Sequence, residues 1–188
     1  VLLLFEKRKF RSWWFETGTP RFLIDVLTER ETWLPQLGAL VADEALLGQW
    51  SPAGPYRFGY YPHNVHFVLT SAQMAGAAAE SLAAADKLGA VMSDEVAAET
   101  AWIQAIKTAP FTAHAQFSDT ATIMALPDPG DAMPFVKAFW HYARGVALAR
   151  EGDPAAAAEA AAIEALREAP GLAMMVEGYV PAPDVLTL

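Results

Sequence analysis

Ala138-Phe139-Trp140-His141-Tyr142-Ala143-Arg144-Gly145, followed by Gly152-Asp153-Pro154 and then Ala155-Ala156-Ala157, is the stretch on which the reading of the fold turns. Gly152 supplies the left-handed residue that ends a helix, Asp153 can cap the next one, and Pro154 suits a first helical position. The pattern predicts a helix over about 133–150, a tight turn, and a second helix reaching Glu168 before Pro170-Gly171. So short a connection makes the two helices antiparallel neighbours.

The same grammar extends upstream. Pro62 opens a helix to about Ala75, Gly76 breaks it, and a second helix covers about Ala77 to Val91. Ser93-Asp94-Glu95 is a capped start with acid at the positive helix end. From there Val96, Thr100, Ile103 and Ile106 continue at helical spacing, with Pro110 as the expected stop. A shorter helix is expected over about Thr112–Leu126, closed by Pro127-Asp128-Pro129-Gly130. Period-two alternation is nowhere sustained, so no sheet is expected in this half. The tail from Leu172 to Leu188 carries Met174, Met175 and Val176, then Pro181 and Pro183, and reads as the start of a further unit with a ragged end.

Composition changes sharply near residue 50. Residues 1–50 hold four of the six tryptophans and three alanines, with six basic and seven acidic side chains. Residues 51–188 are alanine-dominated, with seven basic and fifteen acidic side chains. Ser51-Pro52-Ala53-Gly54-Pro55 lies between them and is read as a linker at residues 51–55. In the first part, Thr19-Pro20 starts a helix with Phe22, Leu23, Val26 and Leu27 on one face. Before it, Lys7, Arg8, Lys9 and Arg11 interleave with Phe5, Phe10, Trp13, Trp14 and Phe15. Such interleaving can bind single-stranded nucleic acid. A small amphipathic helix is the simpler reading, because no wider basic surface supports the other.

The whole chain has 188 residues, 54% of them hydrophobic, and a net charge of −9. The negative balance argues against sequence-independent binding to nucleic acid or to anionic lipid. No apolar run reaches the length needed to cross a bilayer, and Val1-Leu2-Leu3-Leu4-Phe5 is too short for a secretion signal. With no cysteines, disulfides, zinc thiolates and a cysteine nucleophile are excluded. Their absence fits a reducing compartment, and a cytoplasmic location is expected. The start at Val rather than Met is read as the mark of a fragment.

Two resemblances emerge from these residues. Ala138–Gly145, Gly152-Asp153 and Ala157 resemble a tetratricopeptide repeat: Gly145 and Ala157 fall at the small positions of its two helices. Tyr61 to Val91 is a weaker copy, with Gly76 at the turn and Ser81 at a small position. The phrase Tyr61-Pro62-His63-Asn64-Val65-His66-Phe67 is also similar to one found in bacterial tetratricopeptide proteins. The likeness covers about residues 56–170, departing at Leu69 and Arg144, where the repeat has a small and an apolar residue. Separately, Phe10 to Ile24, which includes Phe15-Glu16-Thr17-Gly18-Thr19-Pro20, resembles a stretch of bacterial AAA-ATPase-like proteins that carry a PD-(D/E)XK nuclease-like domain. That likeness runs from about Phe5 to Gly48. It transfers no chemistry, because no Gly-x-x-x-x-Gly-Lys-Ser/Thr loop and no nuclease core are in the chain.

The expected fold class is therefore all-α: antiparallel helical hairpins stacked as a short tetratricopeptide-like solenoid, preceded by a small helical segment. The expected function is a protein-interaction scaffold without catalytic activity or cofactor; the alternative is the remnant of an ATP-dependent nuclease-like protein. A stack of hairpins presents a concave face lined by the first helix of each pair. Tyr60, His63, Asn64, His66, Trp140, His141 and Arg144 are the candidate residues for binding a protein or peptide there. His63 and His66 share a face and could hold a metal with His141, but capping and interhelical hydrogen bonds account for them more simply, and no metal is expected. Ser71, Ser81, Ser93 and Ser118 lack the glycine setting of an activated nucleophile.

Overall fold

The two hairpin turns read from the sequence both form. Gly76 takes φ +73° and Gly152 φ +70°, the left-handed region that side chains disfavour. Gly76 donates its N–H back to the carbonyls of Ala72 and Gln73, closing the helix before it. In the computed structural model residues 34–49, 54, 56–170, 172, 176–177 and 180–187 are described. The Thr19-Pro20 helix start, the basic–aromatic stretch and the Phe10–Ile24 likeness lie outside them.

The fold is all-α, with helices packed on one another in a repeat-like order. Helix α1 spans Leu34–Gln49, and a π-helical turn covers Tyr56–Tyr60. Then come α2 (Tyr61–Ala75), α3 (Ala78–Val91), the short α4 (Asp94–Glu99) and α5 (Ala101–Phe117). A one-turn α6 (Thr120–Met124) precedes α7 (Pro134–Arg150) and α8 (Ala156–Leu166). Helix α2 packs on α3, and α3 on α5; α5 packs on both α2 and α7, and α7 on α8. Val65, Leu69 and Leu88 are fully buried between the first pair and α5, while Phe135 and Ile163 close the last pair.

Three expectations for the middle of the chain are corrected. Pro110 does not stop its helix: α5 runs through it to Phe117. A proline inside a helix costs ~3 kcal/mol. Here the helix is held by burial on opposite faces, Ile103, Ile106, Ala109 and Ala113 on one and Gln104, Thr108 and Ala115 on the other. The predicted helix over Thr112–Leu126 is instead divided at Ser118, and Asp119 caps the second piece by accepting from the Thr122 N–H at 2.7 Å. The helix begun at Ser93 also breaks earlier than expected, at Thr100, where φ −128° and ψ 101° turn the chain into α5.

The tail brings a smaller amendment. Val176–Glu177 (β1) and Val180–Pro181 (β2) pair antiparallel, a ladder of two residues each. A last turn, α9 (Ala182–Val185), then lays Ala182 and Leu186 against Phe135, Ala138 and Ile163. The tail is thus folded back onto the α7–α8 pair.

Contacts cross residue 50. Leu40 of α1 is buried in the same cluster as Val65, Val68 and Leu88. Asp43 accepts hydrogen bonds from Tyr56 Oη and Asn64 Nδ2, both at 2.6 Å. Lys87 of α3 pairs with Glu44, which holds that carboxyl below its ordinary range. The residue-50 composition change therefore does not mark a break in packing for α1. Leu40→Ala is expected to cost about 2–3 kcal/mol in urea unfolding, the loss of a buried leucine side chain. A change below about 0.5 kcal/mol would place α1 outside the cooperative unit.

Candidate functional site

The seven candidate residues fall into two clusters. Around the first turn of α2, Tyr60 is exposed and tilted against Tyr56, with ring centroids 6.4 Å apart. His63 rests on Phe67 at 4.4 Å. Asn64 is committed to Asp43 and so ties α2 to α1. His66, half-buried on the same helix, loses enough water that its pKa falls to about 4, with the neighbouring His63 adding a smaller push. Burial lowers His63 as well.

The second cluster is organised by Glu159 on α8, which sequence spacing did not single out. One carboxylate oxygen accepts from Arg144 Nε at 2.9 Å, and the other meets His141 Nδ1 at 2.6 Å. Arg144 also lies 4.4 Å over the Trp140 ring and reaches the Met124 carbonyl. Trp140 Nε1 donates to the Leu126 carbonyl at 3.1 Å. The heads of these three side chains are turned toward α6 and α8, so they fasten the hairpin. Gly145 lies where α7 meets α8: a Cβ there would sit 3.4 Å from that of Glu159, in van der Waals contact. The His63, His66 and His141 set is not assembled. Among the described residues no group of three or more His, Cys, Asp or Glu side chains is placed to hold a metal ion.

Two hollows flank these clusters. One, of about 550 Å³, opens beside the π-helical turn and is lined by Phe58, Tyr60, His63, Val96, Thr100 and Ile103. The other, of about 420 Å³, lies between α3, α5 and the loop after α6; its polar groups are Asp86, Asp94, Lys107, His114 and Asp128. There Lys107 pairs with Asp94 at 2.5 Å, and His114 Nδ1 is 2.8 Å from Ser118 Oγ. Of the first hollow's lining, only Tyr60 and His63 are among the candidate binding residues read from the sequence. Phe58 carries no signal in spacing, and Thr100 reads as a mid-helix position; a π-turn and a helix break bring them together. Among the described residues no helix is long and apolar enough to cross a membrane.

No family model matches the chain, and no solved structure matches it. A curated protein described as an uncharacterized protein in the vnfD 5′ region of Azotobacter chroococcum mcd 1 is 60% identical over 47 residues. That match takes in 25% of this chain and 9% of the other protein's length.

His66 gives a pH dependence. Above pH ~6.5 it is neutral in folded and unfolded chains alike, and its stabilising contribution is fully present. As pH falls from there towards 4, the unfolded chain takes up the His66 proton while the folded one resists it, so stability drops. Urea midpoints measured from pH 7 to pH 4 are expected to report a loss of roughly 3 kcal/mol from this group, and His66→Gln is expected to remove that part of the slope. An unchanged slope in the variant would mean that His66 titrates normally in the folded chain.

Proposed function

We propose that the chain is a protein-interaction scaffold of tetratricopeptide type, binding a peptide or protein segment across the face that α2, α5 and α7 share. One observation carries this reading: first helices pack on first helices, α2 on α5 and α5 on α7, while α3 and α8 back the first and last of them. Stacked hairpins of this order present a continuous surface to an extended ligand. The net charge of −9 favours a neutral or basic segment. The clamp of Arg144 and His141 on Glu159 belongs to the frame of this surface, and Tyr60 and His63 belong to its accessible part. Absence of cysteine supports a reducing, cytoplasmic setting. We assign no catalytic residue and no cofactor.

The test is selection of a displayed random-peptide library on the full chain, followed by amide-shift mapping with an enriched peptide. Enrichment over an unrelated acidic control protein is expected, with shifts concentrated on α2, α5 and α7. No enrichment, or shifts confined to α3 and α8, would overturn the reading.

A further inference from the structure

The 550 Å³ hollow is built where two irregular pieces of backbone face one another. On one side is the π-helical turn Tyr56–Tyr60, whose widened ring projects Phe58 and Tyr60. On the other is the elbow at Thr100 between α4 and α5, which brings Val96, Thr100 and Ile103 to the same space. His63 of α2 contributes a third side. π-turns are rare and frequently mark functional sites. The volume falls within the few hundred to a thousand Å³ typical of small-molecule sites.

The lining decides the chemistry. Phe58, Val96 and Ile103 are apolar walls, Ile103 being anchored in the main core. Hydrogen-bonding capacity comes from the Thr100 and Tyr60 hydroxyls and the His63 ring. None of the described lining side chains carries a permanent charge, and partial loss of water around His63 lowers its pKa. Among the described lining residues an anion finds no cation and a cation finds no carboxylate, so against these walls a charged ligand would lose its hydration without compensation. An apolar body with one polar group loses little and gains burial.

We propose that the hollow between the π-turn and the α4–α5 elbow is a binding site for an uncharged, mainly apolar, ring-bearing small molecule with one hydrogen-bonding group. Its walls hold the ring system, and Thr100 or His63 meets the polar group. The site shares Tyr60 and His63 with the proposed peptide-binding face, but small-molecule binding here does not depend on that reading.

The experiment uses the full chain and 1-aminoanthracene, an uncharged fluorescent aromatic amine. A saturable one-to-one rise in fluorescence is expected, with amide shifts at Thr100 and Ile103. Val96→Trp fills the hollow and is expected to weaken binding about tenfold or more, with circular dichroism showing whether the variant is folded. Should it not fold, Tyr60→Ala replaces it: that side chain is 64% exposed, so truncating it leaves the core intact while removing part of the mouth. No saturable rise would overturn the proposal. So would shifts that fall elsewhere, affinity unchanged in the folded variant, or equal affinity for the anionic 1-anilinonaphthalene-8-sulfonate.

Discussion

Burial of α5 on opposite faces is the constraint on which the other elements depend. This helix packs on α2, α3, α4 and α7. Ile103, Ile106, Ala109 and Ala113 enter the cluster shared with the first hairpin. Ala115, on the far side, joins Ala143, Ala147 and Ile123. Small residues let the backbones approach closely, so dispersion contacts are many even though each alanine buries little area. Removing this helix would leave each hairpin with an apolar face open to water.

Carboxylates fix the ends of the stack. Asp43 gathers two donors from beyond residue 50, and Glu159 gathers two from α7. In each case both carboxylate oxygens are engaged by partners on other elements, which sets the rotation of one helix against the next. These links set the register that hydrophobic burial alone would leave loose. They also explain why polar residues that looked free for binding are not all so. Asn64, His141 and Arg144 hold the frame, while Tyr60 and His63 face the accessible hollow.

Much of the fold was legible because its turns are made by residues with few conformational alternatives. Gly76 and Gly152 adopt the left-handed backbone expected of them, and Ser93 caps with its hydroxyl 3.3 Å from the Val96 N–H. Pro110 was misleading for a physical reason: local helix-breaking was outweighed by tertiary burial, which a local rule does not register. The break at Thr100 has no breaker at the decisive position, and Gly59 inside the π-turn at Tyr56–Tyr60 gives no signal for that turn type. Glu159 and Asp43 were missed because their roles come from partners 13–21 positions away in sequence, set by packing angle. The candidate site was therefore half legible: its residue types were visible, but not which of them the frame would consume.

A central α5 that unites both hairpins makes a definite claim about cooperativity, which native-state hydrogen exchange tests most directly. The account predicts that the slowest amides of α2, α5 and α7 share one opening free energy equal to that of global unfolding, with the same dependence on denaturant. Two distinct free energies, one for α2–α3 and another for α7–α8 with α5 following only one of them, would contradict it.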